Sequence, residues 1–158
     1  MATRTGMGFD AHRFAPDRRL VLGGVTIESP LGLLGHSDAD VLCHAVMDAL
    51  LGAIADGDIG VHFPDTDSRW KDADSLKLLA HVVERVRQKP ARIVNVDVSA
   101  LAEQPKLAPH RQAMRANLAA VMGVPLDAVS IKATTMEGMG AIGRKEGIAV
   151  MAVATVET

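Results

Sequence analysis

The chain has 158 residues, 48% of them hydrophobic, and 17 basic against 19 acidic side chains for a formal net charge of −2. That length suits one domain burying about two-thirds of its unfolded surface, while the absence of a basic block and an aromatic set of three Phe, one Trp and no Tyr exclude the footprint of a nucleic-acid binder. No apolar run reaches the ~18 residues of a membrane span, the first residues lack a secretory apolar core, and the lone Cys43 has no internal disulfide partner, so a soluble cytoplasmic protein without nucleic acid or membrane as partner is expected.

Residues 3–13 read as extended. Alternation in such a segment puts Asp10 and His12 on one side. LVLGGVTI (20–27) predicts a hairpin turning at Gly23-Gly24. Pro30, Gly32 and Gly35 mark a loop to His36, and Ser37 with Asp40 forms an S-x-x-D capping box opening a helix over 38–55. GDIGVHFPDTDSRW (57–70) is a long loop. Leu76, Leu79, Ala80, Val83 and Val86 recur at helical spacing over 73–88.

IVNVDVSAL (93–101) alternates, with Val94, Val96, Val98 and Ala100 on one face and Asn95, Asp97 and Ser99 on the other. Pro109 suits the first turn of a third helix with an apolar face of Met114, Leu118, Val121 and Met122, ended by Gly123 and Pro125. VSIKATT (129–135) is a further alternating strand. GIAVMAVATV (147–156) is apolar on both faces. A strand with one solvated face should alternate, so this one needs a second cover, either another copy of the chain or a fully sandwiched place in the sheet.

Asp10, His12 and His44 offer one carboxylate and two imidazoles from two elements, a donor set suited to Zn²⁺ with an open fourth position. His44 also has Asp40 and Asp48 at i−4 and i+4. Those aspartates serve equally as surface ion-pair partners or as carboxylates on the outer nitrogen of a metal-bound imidazole. GMGAIG (138–143) matches the dinucleotide pattern G-x-G-x-x-G, but a strand follows where a long helix is required, so a Rossmann site is rejected. A glycine-rich turn still lets backbone amides approach phosphate. Asp65-Thr66-Asp67 begins like a calcium loop and fails at Arg69 and Trp70. Capping or polar ligand contacts remain for these aspartates and for Asp58. Lys132, Thr134, Thr135 and Glu137 at a strand end suit phosphate and a phosphate-bridged Mg²⁺.

The segments GFDAHRF (8–14), LLGHSDADVLCHAVMDALLGA (33–53), GDIGVHFPDTD (57–67), EQPKLAPH (103–110) and KATTMEGMGAIGRKEGIA (132–149) together closely resemble the 2-C-methyl-D-erythritol 2,4-cyclodiphosphate synthases of non-mevalonate isoprenoid biosynthesis. The resemblance spans the chain in order and implies one domain over 1–158. It implies an α/β (α+β-like) fold: a mixed β-sheet with helices on one face and the other face toward the centre of a homotrimer, with active sites shared between neighbours.

By this resemblance Asp10, His12 and His44 hold one Zn²⁺ per subunit, and Glu137 holds a second divalent cation, Mg²⁺ or Mn²⁺. His36 and Ser37 meet the substrate phosphate, with His36 and Thr135 in stabilising catalytic roles. Asp58, Ile59 and Gly60 line the methylerythritol pocket, and Phe63, Pro64, Asp65, Thr66 and Asp67 form a loop over it. The segment Ala102, Glu103, Gln104, Pro105, Lys106, Leu107 and Ala108 receives the cytosine. Thr134, Thr135, Met136 and Glu137 hold the diphosphate, and Arg144 matches an arginine near the trimer axis. Ala141 stands where an aromatic often lines the central cavity, and Met136 and Gly138 replace more polar residues.

The implied reaction is a lyase-type, CMP-releasing cyclisation of 4-diphosphocytidyl-2-C-methyl-D-erythritol 2-phosphate, a small-molecule cytidine diphosphate substrate. The alternatives are a zinc-dependent phosphohydrolase and a non-catalytic cytidine-nucleotide-binding module.

Overall fold

The computed structural model describes residues 1–158. Strands β1 (Thr3–Ala15), β4 (Gly32–Leu33), β5 (Arg92–Leu101), β6 (Val129–Thr134) and β7 (Gly147–Glu157) form a mixed sheet in the order β4-β1-β7-β5-β6. β7 runs antiparallel to both neighbours, and β5 and β6 are parallel. A separate hairpin of β2 (Leu20–Leu22) and β3 (Val25–Ile27) turns at Gly23-Gly24, as its sequence predicts. Helices α1 (Val41–Ala53), α3 (Ser75–Gln88) and α4 (Arg111–Met122) pack on one side, with short turns α2 (Ile59–His62) and α5 (Gly140–Gly143) between.

Helix α1 starts at Val41, three residues after the sequence expectation, because the carboxylate of Asp40 is its N-cap. Asp40 is fully buried and accepts from the backbone N–H groups of Cys43 (3.0 Å), Gly23 (2.9 Å) and Gly24 (2.7 Å). Three such donors replace the water that a buried carboxylate loses. Ser37, expected as the cap, accepts from Ala39 N in the preceding turn instead. α3 likewise begins after its cap, Asp74, which accepts from Leu76 N.

α1 is buried on nearly every side, between the sheet and α3. The contact with β1 is unusually close. A Cβ on Gly8 would stand 1.9 Å from the carbonyl oxygen of Ala45, and one on Gly6 would stand 2.0 Å from that of Ala49. Gly6 and Gly8 therefore leave β1 bare on its helix side, and Ala45 and Ala49 present small side chains on the seam. Asp10 and His12 continue the same face of β1 beyond the glycines.

Cross-strand pairs place Ala152, Ala154, Val96, Val98, Val129 and Ile131 on this helix side too. β5 departs from strict alternation. A bulge between Ile93 and Asn95 turns Ile93 into the core, leaves Val94 half-buried, and restores the predicted inward set at Val96, Val98 and Ala100.

The sheet's other face is uncovered. Met7, Phe9, Met151 and Val153 are 69, 55, 42 and 41% exposed, and they neighbour one another through the Met7–Val153 and Phe9–Met151 pairs. β7 thus lies centrally in the sheet but is not sandwiched, and its second apolar face stays open in a single chain. No helix is long and apolar enough to cross a membrane.

Gly8→Ala should force α1 off β1, because the obstructing atom is a backbone oxygen. We expect a loss of about 3 kcal/mol or more, lowering Tm by roughly 6–12 °C in thermal denaturation. A Tm within 2 °C of the parent, on the order of a surface substitution's effect, would contradict this packing.

Candidate metal centre and substrate cleft

The seam that brings α1 onto β1 carries His44 over the end of the Gly6-Gly8-Asp10-His12 face. Asp10 Oδ2 lies 2.9 Å from His12 Nε2 and 3.0 Å from His44 Nδ1, and the two ring nitrogens are 3.3 Å apart. A tetrahedral ion with bonds of about 2.05 Å sets its ligand atoms about 3.3 Å apart. The three side chains therefore fit such an ion with little adjustment, and they form a cluster able to hold a metal.

Hydrogen bonding on the outer side of the site supports the same use. His12 Nδ1 donates to the carbonyl oxygen of Leu34 at 2.6 Å, which turns Nε2 toward Asp10. His44 Nε2 faces the hydroxyls of Ser37 and Ser75, at 3.0 and 3.1 Å. Neither of the two carboxylates that helical spacing places beside His44 bonds its imidazole. Asp40 is occupied as the helix cap, and Asp48 accepts from Ile59 N at 2.8 Å.

Electrostatics favours positive charge at the cluster. Burial pushes the Asp10 carboxyl up, but the hydrogen bonds and charges of His12 and His44 outweigh it and hold Asp10 well below the usual carboxylate range. Burial pushes His12 down, and its bonds to Asp10 and Leu34 bring it above the ordinary histidine value. Three inward-facing donor atoms with one negative charge attract a cation, and the same arrangement favours the protonated form of His12.

The triad opens into a cavity of about 550 Å³ lined also by His36, Ser37, Ile59, Gly60, Phe63, Pro64, Asp65 and Thr66. The 57–70 loop forms its outer wall and is anchored at several points. Asp58 caps α2 through Val61 N, and His62 Nε2 donates to the Asp56 carbonyl at 2.7 Å. Arg85 Nε donates to the Asp56 carboxylate at 2.6 Å. Phe63 meets Trp70 edge to face at 5.1 Å. Asp67 caps the turn at Ser68–Trp70 and pairs with Arg69, while its carbonyl accepts from His36 Nε2 at 3.2 Å. The capping reading of Asp58 and Asp67 holds, and the wall also presents Asp65 and Thr66 to the cavity.

The remaining expected residues form a second group. Ala102–Ala108 and Thr134–Glu137 leave the C-terminal ends of the parallel strands β5 and β6, joined by Ala102 N to Thr134 O at 3.0 Å. Glu103 Oε1 accepts from Met136 N at 2.8 Å and Gly138 N at 3.4 Å, bracketing Glu137. In the G-x-G-x-x-G match, Gly138 and Gly140 have positive φ, and Gly143 lies against the Gly138 backbone. A short turn and β7 follow, in keeping with rejection of a dinucleotide site. Arg144 is exposed and pairs with Glu146 at 3.0 Å.

His12 pairs with Ile148 on β7, whose neighbour Ala149 pairs with Leu101, which pairs with Thr134. The triad and the 134–137 turn thus share one rim of the sheet but stand three strand spacings apart, about 14 Å. Thr134 also lies on the open face, opposite Asp10 and His12.

Sequence reasoning missed Ser75, the cavity residues Leu34, Met47, Trp70 and Leu78, and the carboxylate role of Glu103. Trp70 has a buried Nε1 without a partner. Ser75 immediately follows the cap Asp74, and its only sequence signal was a small hydroxyl at the start of a helix, whose burial comes from packing of α3.

Zinc supplied as a probe should be retained by the parent protein and lost by His44→Ala, read by elemental analysis after dialysis. In the parent protein a bound cation competes with protonation of His12, which its bonds to Asp10 and Leu34 favour. Zinc affinity should therefore fall as pH drops through and below the raised His12 value, by up to about tenfold per unit for one released proton. Calorimetric titration across pH checks this, and a flat profile would contradict the arrangement.

A model of the YgbB family matches residues 3–157. The chain is 56% identical over 155 residues to the 2-C-methyl-D-erythritol 2,4-cyclodiphosphate synthase of Salinibacter ruber, covering 98% of this chain and 99% of that protein. It resembles the bifunctional IspDF from Campylobacter jejuni with a TM-score of 0.95 and 43% identity, over 98% of this chain and 42% of that longer one. A 2C-methyl-D-erythritol-2,4-cyclodiphosphate synthase in a CDP-bound form matches at a TM-score of 0.89 and 38% identity, over 98% and 100% of the two chains. With nearly its whole length matched and more than half its residues shared with such a relative, this chain belongs to the YgbB family.

Proposed function

We propose that this chain is a 2-C-methyl-D-erythritol 2,4-cyclodiphosphate synthase of non-mevalonate isoprenoid biosynthesis, acting over residues 1–158 as one domain. The observation that carries the reading is the convergence of Asp10, His12 and His44 on one cavity wall opposite the 59–66 loop, in a chain of this family. The substrate is 4-diphosphocytidyl-2-C-methyl-D-erythritol 2-phosphate. Its 2-phosphate oxygen attacks the β-phosphorus and forms the new P–O bond. The bond from the β-phosphorus to the bridging oxygen breaks, and CMP leaves with that electron pair, which makes the enzyme a phosphorus–oxygen lyase.

An ionised phosphate is already nucleophilic, so the protein's task is to align two anions and offset their charge. Asp58, Ile59, Gly60 and the loop Phe63–Asp67 take the methylerythritol phosphate. His36, held by the Asp67 carbonyl, and Ser37 face it from the entry to α1. The backbone of Ala102–Ala108 receives cytosine, Thr134–Glu137 take the diphosphate with Thr135 stabilising the transferring group, and Arg144 lies toward the subunit axis. Bound at the Asp10-His12-His44 triad and at Glu137, zinc and a second divalent cation (Mg²⁺ or Mn²⁺) supply Lewis-acid polarisation and charge neutralisation.

A homotrimer with shared sites is part of this reading. The open apolar face around Met7, Phe9, Met151 and Val153 supports it, as does the ~14 Å between two residue groups that one substrate must touch.

Incubated with substrate, Zn²⁺ and Mg²⁺ in ¹⁸O-water, the protein should release CMP and form a cyclic diphosphate free of solvent oxygen by mass spectrometry. Solvent label in the product would indicate a hydrolase, and nucleotide binding without CMP release would indicate a non-catalytic module. Co-refolding His44→Ala subunits with subunits altered at Pro105 and Lys106 should restore part of the activity that each variant lacks. Verified mixed trimers as inactive as both parents would place the whole site within one subunit.

A further inference from the structure

Ser75 is the first residue of α3 and is fully buried. Its Oγ donates to Asp38 Oδ1 at 2.5 Å, and its backbone N donates to Asp38 Oδ2 at 2.9 Å. Asp38 lies in the turn entering α1 and also accepts from Asp40 N at 3.1 Å. A serine hydroxyl has one proton. With that proton given to the Asp38 carboxylate, Ser75 Oγ presents lone pairs to His44 Nε2, 3.1 Å away. Ser37 Oγ, 3.0 Å from the same nitrogen, accepts a backbone N–H from Ala39 but keeps its own proton free, so Ser75 is the hydroxyl whose direction is fixed.

The His44 ring has two tautomers that its surroundings could satisfy. With the proton on Nδ1, the ring donates to Asp10 Oδ2 at 3.0 Å and blocks the position between Asp10 and His12. With the proton on Nε2, it donates outward and leaves the Nδ1 lone pair facing that position. Asp10 draws the proton inward, and the hydroxyl beyond Nε2 decides the outcome by being acceptor or donor.

We infer that Asp38 and Ser75 are positioning residues that lock Ser75 Oγ as an acceptor, and so hold His44 in the tautomer able to ligate a cation. This inference rests on the metal reading of the triad proposed above. It adds that docking of α3 against the entry to α1 is what makes His44 a ligand. Asp38 and Ser75 touch neither substrate nor metal and act through the imidazole.

The test uses the zinc-loaded protein and chelator competition. Ser75→Ala removes the outer acceptor and should weaken zinc binding by about ten- to a hundredfold. Asp38→Ala removes the carboxylate that takes the Ser75 hydroxyl proton, which frees the hydroxyl to donate toward Nε2, so affinity should fall in the same direction. ¹H–¹⁵N spectra of the parent should show a slowly exchanging His44 proton on Nε2, and that protection should be lost in both variants. If Ser75→Ala does not fold, Asp38→Ala and the proton's position in the parent decide the matter.

A His44 proton found on Nδ1 in the zinc-free parent would overturn the inference. So would zinc affinity within about twofold of the parent in the folded variants while His44→Ala loses zinc. Zinc retained by His44→Ala would overturn the metal reading itself, a different result from either of these.

Discussion

The direct seating of α1 on the bare backbone of β1 is the constraint on which the rest depends. Two strand positions without side chains, Gly6 and Gly8, let a helix carbonyl approach where any Cβ would collide. The next two positions on that face carry Asp10 and His12. One strand face thus holds both the contact that fixes the helix and the groups the helix must meet. His44 belongs to a helix enclosed between sheet and α3, so its place is set by core packing on both sides. A site held this way needs little reorganisation to bind.

The acidic residues near α1 separate into two kinds by what their oxygens receive. Asp40 accepts three backbone N–H groups, Asp38 takes the N–H and hydroxyl of Ser75, and Asp48 takes Ile59 N. Each holds a turn or helix start in place. Asp10 differs, because its Oδ2 meets two imidazole nitrogens, at 2.9 and 3.0 Å, that are themselves 3.3 Å apart. Two rings converging on one oxygen match the donor set of a cation, and this sets the triad apart from the other aspartates around it.

Much of the fold was legible because periodicity and turn chemistry are local. The hairpin at Gly23-Gly24, the helices ending at Gln88 and Met122, and the inward set Val96, Val98 and Ala100 follow from patterns a few residues long. The Asp10–His12 pair was legible for the same reason. What failed was the assumption that a helix has a free surface. Asp40 and Asp48 stand at the right spacing to pair with His44, yet α1 is enclosed and both carboxylates are held by distant backbone amides. Ser75, 31 residues from His44 in sequence, reaches it through packing of α3. The bulge at Ile93–Asn95 likewise depends on how β5 registers against β7.

The sheet also explains why one chain is a poor container for the proposed substrate. Antiparallel β1 and β7 bring the triad to one rim, and the parallel pair β5–β6 delivers the 102–108 and 134–137 turns to the same rim. β7 and β5 stand between, and Thr134 faces the side of the sheet away from Asp10 and His12. Bending the chain cannot shorten that separation without breaking a ladder. Docking a second copy can, and the surface it would use is the apolar patch at the middle of the open face. β7 connects the two requirements. Its inward side chains pack beneath α1 and support the triad's strand, while Met151 and Val153 face outward on the open side. The apolarity of both its faces is therefore a requirement of the proposed shared site as well as of the core.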